Sequence, residues 1–145
     1  MHVLSFTLSP LRAIVGIGEL TGELRVADRG GVAVIGGGGA VEGNPVWEAG
    51  AQGRYYAVGS FEHGMELGGQ LRYDGTTAKA DGERLVSSTF SLGPFLGYKY
   101  VAPFGLTFDG HVGAAYVVVV ADMGDETVSG STLLPLVNAQ VGWSF

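Results

Sequence analysis

The sequence predicts an all-β protein, an eight-stranded antiparallel up-and-down β-barrel of the transmembrane kind. Three observations predict it. Apolar and polar residues alternate along most of the 145 residues, the period-two signature of strands with two unlike faces. The links between the alternating runs are by turns tight and longer, as in a meander whose two rims differ. The chain is also greasy and poor in charge, with 46% hydrophobic and 15% charged residues, 26 glycines and a mean hydropathy of +0.28. Soluble domains carry about 25% charged residues.

The length fits one domain, residues 1–145, with no linker inside it. Cysteine is absent, so neither a disulfide framework nor a Cys-ligated metal centre is available. A net charge of −6 and only eight dispersed Lys and Arg exclude a nucleic-acid surface, which needs clustered cations. The longest apolar run, "AAYVVVVA" (Ala114 to Ala121), is too short and too β-branched for a transmembrane helix. The amino-terminal "MHVLSFTLSPLRA" lacks a basic segment followed by a long apolar one, so it does not read as a signal peptide. An exported chain would then be the mature form, with Met1 added.

The first strand is placed at 3–10. The segment "SPLRAIVGIG" (Ser9 to Gly18) is open between its continuation, a loop and a short helix. The second strand, 18–28, sets Leu20, Gly22, Leu24 and Val26 against Thr21, Glu23 and Arg25. A tight link, "ADRGG", leads to the third strand at 31–42, where "GGGG" (Gly36 to Gly39) suits a sharply curved, crowded wall. After "EGNP", the fourth strand, 46–58, alternates Trp47, Ala49, Ala51, Gly53 and Tyr55 with Glu48, Gly50, Gln52 and Arg54. The tight "GSFEHG" precedes the fifth strand, 65–76, with Met65, Leu67, Leu71 and Tyr73 opposite Glu66, Gln70 and Arg72.

A long polar link, 76–86, leads to the sixth strand at 87–102. Phe90, Leu92, Leu96, Tyr98 and Tyr100 oppose Thr89, Ser91 and Lys99 there, and Phe95 breaks the pattern. Past "APFG", the seventh strand, 106–121, sets Leu106, Phe108, Val112, Ala114 and Tyr116 against Thr107, Asp109, His111 and Ala115. A second long polar link, 122–132, leads to the eighth strand, 133–145. It places Leu133, Val137, Val141, Trp143 and Phe145 on one face and Asn138 and Gln140 on the other.

Alternation alone fits two opposite barrels, one lipocalin-like and soluble with its apolar face inward, the other in a membrane with that face outward. The polar face decides for the membrane. It is rich in Gly, Ser and Thr and poor in Lys and Glu, whereas a soluble surface wants roughly 25–35% charged residues. Its charges nearly balance, with Glu23, Glu48, Glu66 and Asp109 against Arg25, Arg54, Arg72 and Lys99, as ions enclosed in a narrow lumen must. These eight, with Gln52, Gln70, His111, Asn138 and Gln140, are expected to form a polar network that plugs the lumen. On the apolar face, Trp47, Tyr55, Tyr73, Tyr98, Tyr100, Tyr116, Trp143 and Phe145 lie near strand ends, where rings belong at a lipid–water interface.

Three phrases, "GPFLGYKYVAPFGLTFDGHVGAAY" (Gly93 to Tyr116), "GRYYAV" (Gly53 to Val58) and the terminal "VGWSF", carry a further likeness. The chain resembles the small eight-stranded outer-membrane barrels of Gram-negative bacteria, of the OmpX and OmpA-barrel type, and within them an uncharacterised small-barrel family. The resemblance implies an integral outer-membrane location, a plugged lumen and no agreed activity. The last strand, ending on Phe145, also resembles the signal read by the barrel-assembly machinery.

Other motifs are weaker. Asp109 and His111 share a face as half of a hydrolase dyad would, with Ser91 and Thr107 in the neighbourhood, but no nucleophile elbow precedes either. His2, His63 and His111 are too scattered for a metal site. The glycines of "GIGELTG" lack the spacing of a phosphate loop, and Asp122, Asp125 and Glu126 read as a solvated acidic loop. The expectation is a non-enzymatic barrel without cofactor or metal, whose partners are the bilayer, the assembly machinery and, through the loops 76–86 and 122–132, a surface partner. The alternatives are a narrow channel, a lipocalin-like binder and a barrel hydrolase.

Overall fold

The computed structural model describes residues 1–80, 82–122 and 125–145. Eight strands, β1 (Leu4–Leu8), β2 (Ile17–Ala27), β3 (Gly30–Val41), β4 (Asn44–Gly59), β5 (His63–Ala80), β6 (Glu83–Val101), β7 (Leu106–Asp122) and β8 (Thr127–Ser144), form one closed antiparallel barrel in chain order. One lateral row shows how the ring closes. Leu8 pairs with Leu20, and the row runs on through Gly36, Ala49, Tyr73, Phe90 and Val118 to Ser131. Leu8's own partner in β8 is Val141, ten residues further along. That stagger is the shear of the barrel; it tilts the strands and leaves an interior that side chains can fill.

The two rims are unlike. At one rim the links are short and both described chain ends meet: Val3 and Leu4 donate backbone N–H groups to the Phe145 carbonyl. At the other, β3 and β4 join through Glu42 and Gly43, both at positive φ (52° and 81°), which is the mirror-image turn that matches strand twist.

The expected long links there are mostly strand. β5 and β6 continue pairing through Thr76↔Ser87 to Ala80↔Glu83, and β7 and β8 through Val120↔Ser129 to Asp122↔Thr127. These segments stand past the rest of the rim, so neither face selects an apolar residue and alternation is lost, while β-branched Thr and Val still favour extension. The tips, Asp81 and residues 123–124, lie outside the described residues.

The open segment resolves into a short helix, α1 (Pro10–Ile14), between β1 and β2. Ser9 caps it, its Oγ accepting from the Arg12 backbone N–H at 3.4 Å, and Pro10 begins it with a preset φ and no amide hydrogen to satisfy.

The packing is inverted relative to a water-soluble barrel. Among the described residues, buried polar and charged side chains outnumber buried apolar ones, and most of the large apolar residues of β2 and β4–β8 face outward. Along β3 the inward positions are Gly31, Ala33, Ile35 and Gly37. A Cβ at Gly37 would lie 2.6 Å from Glu48 Oε1, so this strand contributes space, not polar groups, to the interior. Phe95, Ala115, Val117 and Leu136 form one small apolar cluster inside.

Candidate functional site

The chemistry of this chain is concentrated in the barrel interior, where two groups of charged side chains lie one above the other. Toward the short rim, inward positions of β2, β4, β5, β6 and β7 converge on Arg54. Its Nη1 donates to Asp109 Oδ2 at 2.5 Å and Glu23 Oε2 at 3.0 Å and lies 3.7 Å from Glu66 Oε2. Its Nε and Nη2 donate to Gln52 Oε1, and Gln52 Nε2 donates to Gln70 Oε1 at 2.7 Å. A fork held by three acceptors, with a further carboxylate nearby, is the geometry in which a buried guanidinium is tolerated.

Lys99 joins from β6, donating to Glu23 Oε2 at 2.7 Å and Ser5 Oγ at 3.2 Å. Its Nζ lies 3.5 Å from the centre of the Phe61 ring, a cation–π contact shielded from water. Tyr56 donates its hydroxyl to Glu23 Oε1 at 2.5 Å. Phe61 and Tyr56 are both fully buried and meet edge to face, 5.9 Å between centroids. The turn 60–62 thus folds an aromatic back into the barrel and seals this rim. Beside it, the His2 backbone N–H and ring meet Glu62 Oε1 at 2.9 and 3.0 Å, and these bonds hold the Glu62 carboxyl below the usual carboxylate range.

Toward the far rim the pairing is looser. Arg72 Nη2 donates to Glu19 Oε2 at 2.6 Å, but Arg72 and Arg12 reach Glu48 only at 3.7 and 3.5 Å. Arg12 descends from α1 to within 3.4 Å of Glu19. Asn138 links the walls, donating to Glu19 Oε1 and accepting from Ser9 Oγ. Below it, Thr7 donates to Gln140 and Gln140 to Thr21. Among the described residues, neither Glu48 carboxylate oxygen nor Arg72 Nε has a hydrogen-bond partner. Here the interior opens into a cavity of about 440 Å³ between α1 and the inner faces of β5–β8.

The expected network is largely assembled. Glu23, Glu48, Gln52, Arg54, Glu66, Gln70, Arg72, Lys99, Asp109, His111, Asn138 and Gln140 are all buried inside. Arg25 is the correction. It sits at the end of β2, beside a register shift, and turns to Asp28 and the Ala27 carbonyl at the rim. Glu19 and Arg12 take part instead. The interior then holds Glu19, Glu23, Glu48, Glu66 and Asp109, with half-exposed Asp74 at the cavity, against Arg12, Arg54, Arg72, Lys99 and His111. Glu19 shares the parity of Glu23 and could have been found from it; Arg12 followed only once α1 was known. All eight expected ring residues, Trp47 to Phe145, face outward and are exposed.

The structure does bring Asp109 and His111 together, Oδ1 to Nε2 at 2.9 Å, with Glu66 against the same nitrogen. No hydroxyl joins them. Nδ1 has no partner among the described residues, Phe95 packs tilted against the ring at 4.5 Å, and Thr107 is engaged with Ser144 and the Gly105 carbonyl. Ser91 lines the cavity instead. Glu66, Asp109 and His111 could jointly face a cation, their ligand atoms lying within 4.8 Å. Arg54 already brings a positive charge to both carboxylates, so the arrangement is that of an ion-pair network.

Fold and interior together define a class: a closed eight-stranded barrel with an apolar exterior and a charged, filled lumen. Comparison with protein-family models, with curated proteins and with solved structures gave no match.

Proposed function

We propose that this chain is an integral outer-membrane β-barrel of the small OmpX and OmpA-barrel kind. In this reading its plugged lumen is structural, and its role is to present the projecting β5–β8 sheet to a surface partner. One observation carries the membrane reading: the outward face is apolar, with rings at two levels. Trp47 and Tyr55 on β4, Phe90 and Tyr98 on β6, and Phe108 and Tyr116 on β7 are each eight residues apart. At about 3.3 Å per residue and a tilt near 40°, that spacing is of the order of the ~25 Å apolar band of such barrels. Trp47 also packs on Tyr73 of the neighbouring strand, 5.2 Å between centroids, as part of the upper level.

The same arrangement disfavours the alternatives. A soluble binder would expose this apolar face to water. A channel would need a continuous path, which Phe61, Tyr56 and the Arg54 and Lys99 pairs obstruct. The projecting segments, 74–80 against 83–88 and 117–122 against 127–133, are extended and paired, so a surface partner would meet the edge and faces of a sheet.

The test is refolding from denaturant with and without lipid vesicles, followed by circular dichroism and gel mobility before and after boiling. We expect a β spectrum and a heat-sensitive mobility shift only with lipid or detergent. A monomeric, cooperatively folded β-protein in plain buffer would overturn the reading.

A further inference from the structure

The wall of the barrel is incomplete on one side. β1 pairs with β8 only from Ser5↔Ser144 to Leu8↔Val141, and β8 then continues to Thr127 with no strand on that flank. In place of a strand stands α1, five residues long, which contacts β2 and β8. Leu134 shows the consequence. By parity it points inward with Leu136 and Asn138, opposite Ala115, yet it is 48% exposed because nothing closes over it from the β1 side.

The 440 Å³ cavity lies behind this seam, and its lining has two chemistries. The inner wall mixes polar Gln70, Arg72, Ser91 and Asn138 with buried apolar Ala115, Val117 and Leu136. Half-exposed Asp74 and Thr89 line it toward the far rim, and the side at the seam, Leu11, Val15, Leu134 and Val137, is apolar and exposed. Arg72 is 5% exposed, and its Nε–H has no acceptor among the described residues, an unfavourable state for a buried donor unless something supplies one. Around the cavity three carboxylates (Glu19, Glu48 and Asp74) face two guanidiniums (Arg12 and Arg72). No surplus positive charge awaits a bare anion. The cavity volume lies within the range of small-molecule sites, roughly 300–1,000 Å³. The seam lies below Tyr116, whose partner in β8 is Leu133, and so within the apolar band of the membrane reading, on which this inference rests.

We propose that this cavity binds a single-chain amphiphile with an uncharged or zwitterionic head group. The head accepts from Arg72 inside the barrel, and the chain passes between α1 and β8 into the bilayer. Access is lateral, from the membrane, and the sealed short rim is not involved.

The test uses the full chain in nanodiscs of diacyl phosphatidylcholine, after heat modifiability has shown that it has folded. Labelled lysophosphatidylcholine is titrated in, with glycerophosphocholine and palmitate as comparison probes. We expect saturable binding of one lysophosphatidylcholine per chain and a shift of the Arg72 Nε–H resonance, with no binding of the chainless head group. Thr89→Trp, which narrows the cavity at its lining, should weaken binding at least about tenfold. Ser91→Phe serves the same purpose if that variant fails to fold. Absence of saturable binding in the folded protein overturns the site but leaves the membrane reading intact. So does binding that both variants leave unchanged, or equal binding of palmitate or glycerophosphocholine. A chain that folds only outside the bilayer sinks both.

Discussion

The two ends of the lumen use the same residue types to opposite effect. At the short rim Arg54, Lys99, Glu23 and Asp109 each have a charged partner within 3.0 Å and are roofed by Tyr56 and Phe61. At the far end Arg12 and Arg72 approach Glu48 no closer than 3.5 Å, the carboxylate has no hydrogen bond among the described residues, and a cavity adjoins them. What differs is the backbone. At the first end a turn folds an aromatic inward, excluding water and making every pair mandatory. At the second a strand gives way to a five-residue helix, and the wall opens. Buried charge tolerates little error where it is dry and more where water or a ligand can reach it.

The sharpest way to break this comparison is to remove one hub from each end. Arg54→Met leaves Glu23, Glu66 and Asp109 facing one another, and we expect a loss of about 3–5 kcal/mol in urea unfolding from vesicles. Phe61→Ala should cost about 3 kcal/mol by emptying a fully buried site. It should also be the variant whose single-molecule conductance in planar bilayers rises, since it removes the seal. Arg12→Ala, at the wetter end, should cost about 1 kcal/mol in the same assay; a loss as large as that of Arg54→Met would erase the distinction between the ends.

The smallest effect concerns Glu62 on the outer side of the sealed rim. Its carboxyl is held below the ordinary value of 4.5 by His2, so its contribution is present above that pH and disappears as pH falls through the lower folded value. Being partly exposed, it should add no more than a few tenths of a kcal/mol. Glu62→Gln should flatten that small acid-side loss in unfolding midpoints measured between about pH 3 and 6.

Much of this was legible in the sequence. Parity alone sorted Glu23, Glu48, Arg54, Glu66, Arg72, Lys99 and Asp109 to one face, because a strand between two unlike environments writes its period directly into residue choice. The signal faded where the two environments became alike. Residues 76–80 with 83–87 and 120–122 with 127–129 are paired strand that meets similar surroundings on both faces, so strand looked like loop. Arg25 had the right parity but lies at a strand end, where its side chain can turn to Asp28. The inward Phe61 belongs to a turn, where no periodicity applies, and Arg12 depended on α1, whose sign was the pair Ser9–Pro10. The cavity was not legible at all, since it arises from the mismatch in length between β1 and β8.

The central claim is that the apolar face meets hydrocarbon while the charges are enclosed. The chain has no cysteine, so Val112→Cys and Glu126→Cys each give a unique attachment point for an environment-sensitive fluorophore. Val112 faces outward at the middle of the band, and Glu126 lies beyond the far rim. In vesicles of acyl-chain-brominated lipid, we expect blue-shifted, strongly quenched emission at position 112 and unquenched, water-like emission at 126. Water-like, unquenched emission at position 112 in the folded protein would contradict the account.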